Sequence, residues 1–315
     1  MPIINHRKIF FTLSAVLVIG SVVAMLAYGF NLGIDFKGGS LLEVSYTTAR
    51  PSLEDIKIRL DTLGFGTYSI SPSGNLKYVL KTRDITPAQK TQILHTFSPR
   101  GTLGENVLSP TSSPMSNIGQ NTAKEESFTS IGPTVGTQLK NKALIAIILV
   151  IICIVLFITF AFRKVSYPVS SWKYGLATII ALAHDVIIPT GVFIVWSHFQ
   201  GGEIDLLFVT ALLAILGYSV HDTIVVFDRV RENLHLASHK QSFTETVGVS
   251  ITQTFGRSIN TSLTIFLALM ALYFIGGPST KDFAFVLLIG IITGTYSSIF
   301  VASPLLVTLE KLQKR

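Results

Sequence analysis

Two aspartates, Asp185 and Asp222, interrupt long apolar runs of this chain. An ionised carboxylate at the centre of a membrane helix costs about 2.5 to 3.5 kcal/mol, so such residues generally face protein or water and often serve function. Asp185 lies near the middle of its run, and Asp222 lies roughly 9 Å past the middle of its own. Each carboxylate is therefore either a structural acceptor of hydrogen bonds from an adjacent helix or a group that carries protons.

A cation for Asp222 is available in Arg257, which we place at the start of the fifth apolar run, on the same side of the membrane. A nearby guanidinium favours the ionised carboxylate and desolvation favours the neutral acid, and this opposition suits a proton carrier. The alternative is that Arg257 only anchors the end of its helix at the membrane surface.

Two histidines, His184 and His221, directly precede the two aspartates. Neighbouring residues in a helix point about 100° apart, so neither His-Asp pair presents two metal ligands on one face. Because no further ligand cluster exists, we expect no metal site and no catalytic residues. His221 is predicted to be a polar partner inside the bundle, or at most a proton relay beside Asp222.

The composition places these residues in a membrane protein. Only 14% of the 315 residues are charged, 49% are hydrophobic and the mean hydropathy is +0.54, whereas soluble chains are about 25% charged. A helix needs roughly 20 apolar residues to cross the bilayer. Six runs meet this requirement: 9–30, which we interpret as a retained anchor, 143–162, 174–196, 205–227, 258–276 and 283–307.

Basic residues predict the orientation of the spans. Twelve of them flank one side of the membrane, against Lys281 alone in the short connections of the other side. The positive-inside rule therefore places both termini in the cytoplasm. The twelve are Arg7, Lys8, Arg163, Lys164, Lys173, Arg229, Arg231, Lys240, Arg257, Lys311, Lys314 and Arg315.

The predicted domains are residues 1–30 (cytoplasmic N-terminus and first span), 31–142 (extracytoplasmic), 143–307 (spans two to six) and 308–315 (cytoplasmic tail). The pattern within 31–142 is strand 40–46, helix 53–63, strands 67–71 and 76–82, helix 87–97 and strand 128–131. This β-α-β-β-α-β order is typical of a ferredoxin-like α+β domain. The segment 101–124 is polar enough that we expect it to be flexible.

The last span contains a row of small residues: Gly290, Gly294, Ser298 and Ala302 recur at four-residue steps. Such a row allows two helices to approach closely. The sequence leaves open whether the second helix belongs to this chain or to a partner subunit.

Five strings of the sequence together resemble the SecF family of bacterial protein-export membrane subunits, over the whole chain. The strings are Gly33–Gly39 (GIDFKGG), Gly132–Gly136 (GPTVG), Ala183–Asp185 (AHD), Gly217–Asn233 (GYSVHDTIVVFDRVREN) and Arg257–Ser262 (RSINTS). The motif positions are Gly33, Asp35, Gly38, Gly39, Gly217, Tyr218, Asn260 and Thr261. Two features depart from the family pattern: His221 stands where many members have Asn, and segment 101–124 is long and polar.

The resemblance implies an α-helical membrane protein of the resistance-nodulation-division type, in the bacterial plasma (inner) membrane. It implies pairing with SecD beside the SecYEG channel, and use of the proton motive force to help unfolded secretory proteins across the membrane. Asp222 matches the family's transmembrane carboxylate and Arg257 its intramembrane arginine, with Asp185 and His221 as possible further coupling residues. Protons are the coupling ion, no other cofactor is expected, and the lipid bilayer but not nucleic acid is a partner.

Two alternatives to a proton-coupled export subunit stay open at this point. One is a membrane-anchored module that holds exported chains without proton coupling, and the other is a small-substrate exporter of the same superfamily. The coupling hypothesis predicts that protonation of Asp222 weakens its attraction for Arg257, and that the bundle then adopts a second packing that moves the outer domain.

Overall fold

The structure is a computed structural model that describes residues 2–98, 123–163, 169–236 and 241–313. It divides into two units, a helix bundle (Met1–Asn31 with Ala143–Arg315) and a sheet domain (Leu32–Lys142). Of the segment predicted to be flexible, 101–124, only the last two residues are among those described, and these belong to a strand.

The sheet domain follows the predicted β-α-β-β-α-β order, with sheet order β2-β3-β1-β4 and every neighbouring pair antiparallel. Its apolar core contains residues of the strands and of both longer helices, including Val44, Ile56 and Ile93. The elements are α3 (Ile34–Lys37), β1 (Gly39–Tyr46), α4 (Leu53–Thr62), β2 (Tyr68–Ser73), β3 (Lys77–Thr82), α5 (Pro87–Phe97) and β4 (Ala123–Ile131).

Local signals define α5. The hydroxyl of Thr86 accepts a hydrogen bond from the Gln89 amide, the Gln89 side chain accepts one from the Thr86 amide, and Pro87 occupies the first turn. This capping box satisfies amide groups that a helix start leaves without partners. Beneath the helix, Tyr46 donates its hydroxyl to the Phe97 carbonyl at 2.8 Å, and burial raises the pKa of the Tyr46 phenol above its ordinary value.

Within the described ranges, the helix bundle contains six helices long and apolar enough to cross a membrane, as predicted. Around α7 pack α2, α8 and α10, so α7 and α8 are largely buried, whereas α2, α6 and α9 expose most of their apolar surface. The helices are α1 (Pro2–Asn5), α2 (Arg7–Tyr28), α6 (Pro133–Ala161), α7 (Ser171–Gln200), α8 (Leu206–Leu236), α9 (Phe243–Ile275), α10 (Pro278–Ser297) and α11 (Ser303–Gln313).

Three helices extend well beyond the predicted spans. Helix α6 begins at Pro133 and not near residue 143, α8 continues to Leu236, and α9 begins at Phe243 and not near residue 258. Ser242 caps α9 through a capping box with Glu245. The extensions are polar, so a hydropathy criterion for membrane spans excludes them although the helix continues.

A π-helical turn, Ser298–Ala302, joins α10 to α11. The Ser303 hydroxyl donates to the Ser298 carbonyl at 2.9 Å across the turn. Pro304 follows, and because proline has no amide hydrogen it cannot donate to the carbonyl four residues earlier. Such π turns are frequent at functional sites.

Candidate functional site in the helix bundle

Asp185 is fully buried near the middle of α7 and joins three helices. Its Oδ2 accepts hydrogen bonds from the hydroxyls of Ser219 on α8 and Ser297 on α10, the latter at 2.6 Å. Its Oδ1 lies 2.8 Å from Nδ1 of His184. Both carboxylate oxygens therefore have partners, which is the structural role that the sequence left open for Asp185.

Asp222 lies near the middle of α8, 6% exposed, in a less complete environment. Its Oδ1 accepts a hydrogen bond of 2.5 Å from the Ser258 hydroxyl on α9. Its Oδ2 is buried and has no hydrogen-bond partner among the residues that the structure describes. A buried, half-satisfied carboxyl group is costly in its ionised form, and a proton on the open oxygen removes the charge.

Arg257 does not contact Asp222 in this structure. It is exposed near the middle of α9, fourteen residues after the helix begins at Phe243, at the point where the apolar part of the helix begins. The residue that faces Asp222 is its neighbour, Ser258. Successive helical positions point about 100° apart, so α9 presents either residue 257 or residue 258 to α8, but not both.

His221 is exposed on α8, and the prediction that it lies inside the bundle as a polar partner is wrong for this structure. The reason is again helical geometry: Asp222 and Thr223 face the bundle, and His221, about 100° from Asp222 on the other side, lies on the exposed face. Gly217, one turn earlier, is on the same exposed side, and a Cβ added to it would meet nothing within 4 Å.

Tyr218 forms a second polar cluster among α8, α9 and α10. Its hydroxyl lies 2.5 Å from the Ser262 hydroxyl and 3.3 Å from that of Thr295, and Ser262 and Thr295 are 2.5 Å apart. Ser258 and Ser262 are one turn apart on α9, so the same helix face serves both Asp222 and Tyr218.

The small residues of α10 pack against α8 of this chain, which decides between the two alternatives for that row. A Cβ on Gly290 would lie 2.2 Å from side-chain carbons of Ile215, and one on Gly294 would lie 3.2 Å from Ser219 Cβ. Ser298 continues the contact, with its hydroxyl 3.0 Å from that of Thr223. The close approach of the two backbones lets short serine and threonine side chains bridge the helices.

The remaining motif positions of α9, Asn260 and Thr261, are exposed together with Arg257. The exposed side of α9 thus combines a charged and two polar residues within a helix that is otherwise apolar enough to cross a membrane. In contact with lipid, these groups would lack hydrogen-bonding partners.

The glycine-rich motif after the first span lies at the start of the sheet domain. Gly33 precedes α3, Asp35 is half-buried within it, and Gly38 and Gly39 join it to β1 with φ of 79° and 140°. A Cβ would lie 2.8 Å from Pro133 Cα at Gly38, and 2.6 Å from the Thr82 carbonyl oxygen at Gly39. Both the backbone conformation and the close contacts require glycine at these two positions.

Sequence reasoning missed the hydroxyl groups that hold the two aspartates. Ser219, Ser258 and Ser297 are inconspicuous as single residues. A signal was available in their spacing, because Ser219 lies one turn before Asp222, and Ser258 and Ser262 are one turn apart. Within the described ranges, no three His, Cys, Asp or Glu side chains are close enough together to hold a metal ion.

These features define a multi-pass membrane protein with the buried carboxyl groups of Asp185 and Asp222 in the middle of its bundle and a small α+β domain after its first span. Comparison with known families gives two matches. The family described as "Protein export membrane protein SecD/SecF, C-terminal" matches residues 112–312, and the SecD/SecF GG motif matches residues 23–49.

Similar proteins extend the match to nearly the whole chain. The protein translocase subunit SecF of Thermobaculum terrenum is 41% identical over 98% of this chain and 94% of its own length. The SecF subunit of Anaerolinea thermophila is 34% identical over 98% of this chain and 94% of its own length. The chain therefore belongs to the SecD/SecF family, with SecF translocase subunits as its relatives.

The fold is also similar to a solved structure. The crystal structure of SecDF, a translocon-associated membrane protein from Thermus thermophilus, matches with a TM-score of 0.78 and 30% identity. The match covers 100% of this chain and 39% of that SecDF chain. A second structure, of SecDF in a super-membrane-facing form, matches 99% of this chain with a TM-score of 0.65.

Proposed function

We propose that this chain is a proton-driven subunit that uses the proton motive force to help secretory proteins cross the bacterial inner membrane. The observation that carries the proposal is the open Oδ2 of Asp222, buried and without a partner beside the Ser258 hydroxyl. A carboxyl group in this setting can carry a proton on the open oxygen. Loss of that proton leaves a buried negative charge without a hydrogen-bond donor at this oxygen.

Loss of the proton requires a second packing of the bundle. Arg257 is one position from Ser258, so a rotation of α9 of about 100° exchanges a hydroxyl for a guanidinium opposite Asp222. We propose that the protonated acid faces Ser258, as here, and that the ionised carboxylate attracts Arg257. Alternation between the two contacts would move α9 and, through the bundle, the sheet domain.

The energy available limits what this motion does. One proton crossing 100 mV releases about 2.3 kcal/mol, which biases a two-state equilibrium about fiftyfold. Unfolding a typical protein takes about 5 to 15 kcal/mol. The cycle therefore rectifies the movement of an exported chain or releases it, and does not pull folded proteins apart.

The exposed polar side of α9 supports a membrane partner. Arg257, Asn260 and Thr261 on α9, with His221 on α8, face away from the bundle. Because polar groups facing lipid are costly, we propose that a second helix bundle, that of SecD, covers them. The similarity to a SecDF chain of which this chain covers 39% fits such a partner.

The basic residues support an orientation with both termini in the cytoplasm and the sheet domain outside. There the domain offers the outer edges of β2 and β4. An extended polypeptide adds to such an edge by backbone hydrogen bonds that are independent of its sequence. We propose that unfolded secretory chains emerging from SecYEG bind in this way.

The test is an Asp222→Asn variant, which keeps the size of the side chain and removes its charge. We expect it to insert and to copurify with SecD as the wild type does, yet to add no gradient-dependent export in energised membrane vesicles. Asp228→Asn is the matched control, because Asp228 lies on the same helix but is exposed and pairs with Arg231 at 2.6 Å. Asp228→Asn should retain the gradient response.

The same vesicles separate the alternatives. Gradient-dependent export by Asp222→Asn at the wild-type level would contradict the proposal. Wild-type assistance that survives an uncoupler would indicate a passive module that holds chains. Accumulation of small molecules, without any effect on protein export, would indicate a small-substrate exporter.

A further inference from the structure

The proposed cycle makes no use of His184, a histidine buried in the middle of the bundle. Its side chain is 4% exposed, and its ring stacks with that of Tyr296 on α10 at 6.0 Å between centroids. Nδ1 lies 2.8 Å from Asp185 Oδ1, whereas Nε2 is buried without a hydrogen-bond partner in the described part of the chain. One ring nitrogen is thus fixed in place, and the other is open.

Asp185 determines which nitrogen carries the permanent hydrogen. Its Oδ2 already accepts from the Ser219 and Ser297 hydroxyls, so Oδ1 is the oxygen left for the ring. With Nδ1 donating to Oδ1, the neutral ring has a lone pair at Nε2. The pair then has a net charge of −1, and a proton added to Nε2 makes it an imidazolium-carboxylate pair with no net charge.

Among the described residues, no lysine or arginine lies close enough to the pair to balance that charge. The titratable groups that the packed helices bring near are Tyr296 on α10 and, one turn from Ser219, Asp222 on α8. Helix α2 approaches through Ser14 and the Phe10 carbonyl, both bonded to the Tyr296 hydroxyl. Helix α11 meets α7 at Lys173, roughly 16 Å along the helix from His184. In the described part of the chain, the ion pair that Asp185 forms is the one with His184.

We propose that Nε2 of His184 is a second proton-binding site of the bundle, separate from Asp222, and that Asp185 is the positioning residue that orients the ring. Protonation forms an N–H bond at the Nε2 lone pair, and loss of the same proton breaks that bond and restores the lone pair. The site stands on its own geometry, and only its use in export rests on the proposed function. Ser219 of α8, the helix that carries Asp222, donates a hydrogen bond to Asp185. The charge of the His184–Asp185 pair therefore acts on the same helix as the charge of Asp222.

The experiment observes the ring nitrogens directly. The full chain, labelled with ¹⁵N-histidine and placed in lipid nanodiscs, is compared with His184→Asn, whose amide keeps a donor near the position of Nδ1. When the samples are acidified from about pH 8 to pH 5, we expect one histidine, absent from the variant spectrum, to keep a protonated Nδ1 and to gain a proton at Nε2. Acidification should bind one fewer proton per chain in the variant.

Two further variants make the result decisive. His184→Gln assigns the signal independently if His184→Asn does not fold, and Asp185→Asn should let the hydrogen exchange between both ring nitrogens without removing the signal. An Nε2 that keeps one protonation state over this pH range overturns the inference. If Nε2 titrates while Asp222→Asn exports normally, the proton site stands and the proposed function fails; the reverse pair of results leaves the function and removes the site.

Discussion

The helix bundle and the sheet domain differ in the side chains that they bury and expose. Both have an apolar core, but the bundle also encloses Asp185, Asp222 and their serine partners, and it exposes apolar residues such as Ile148 on α6. The sheet domain encloses Val44, Ile93 and other apolar side chains in a continuous core. Of the two units, the bundle is therefore the one with buried aspartates and an apolar outer surface.

The difference follows from the solvent of each unit. Apolar burial stabilises the sheet domain because it removes surface from water. Lipid tails are as apolar as leucine, so a membrane bundle depends on close packing and on hydrogen bonds between helices. Comparable substitutions should therefore have different costs in stability in the two units. Three pairs of variants test this: two pairs compare sites of different burial in the two units, and one tests the close packing of helices within the bundle.

The largest effect is expected for Ile93→Ala in the core of the sheet domain. Ile93 is 0% exposed, and deletion of such a side chain costs about 2 to 5 kcal/mol. Ile148→Ala removes the same atoms from a site that is 59% exposed on α6, and should leave stability nearly unchanged. Hydrogen exchange of the full chain in nanodiscs measures both, and equal costs would refute the contrast.

The next effect concerns close packing in the bundle. Gly290→Ala places a Cβ 2.2 Å from side-chain carbons of Ile215, and such overpacking costs about 1 to 3 kcal/mol. Gly217→Ala is the control, because a Cβ there meets nothing within 4 Å. We expect a lower thermal midpoint in detergent for the first variant only. A tolerated Gly290→Ala would show that α8 and α10 separate easily.

The smallest effect is that of a single hydroxyl. Ser297→Ala removes one of the two donors to Oδ2 of Asp185, and interhelical hydrogen bonds in membranes are worth about 0.6 kcal/mol on average and about 1.7 at most. Thr91→Ala removes an exposed hydroxyl that donates to the Pro87 carbonyl on α5. Thermal unfolding in detergent should detect the first loss but not the second. Identical midpoints would argue that the buried network adds nothing to stability.

Local signals in the sequence were sufficient for much of the fold. Helix α5 runs from Pro87 to Phe97 as predicted, because Thr86, Pro87 and Gln89 specify its start through their own backbone. The six predicted spans correspond to six long apolar helices among the described residues. They were predictable because the length of an apolar run is a property of each segment alone. Strand β4 begins at Ala123, five residues before the predicted start, because its pairing with β1 extends into a polar stretch that no local pattern marks.

The site was predictable only in part. Burial of Asp185 and Asp222 follows from charge in an apolar run, and the structure confirms it. The contact between Asp222 and Ser258, where Arg257 was expected, depends on the rotation of α9 about its axis, which is set by all its packing contacts together. Spacing along one helix does not contain that information.

The π turn at Ser298–Ala302 has a consequence for the rest of the last helix. A π turn holds one residue more than a regular turn, so it resets the helical phase of all that follows by about 100°. Leu306 and Val307 are fully buried in the reset phase. A one-residue deletion at the π turn would return the following helix to the regular α-helical phase and rotate these two side chains by about 100°, away from the core. The number of residues in this turn therefore determines which side chains of α11 are buried.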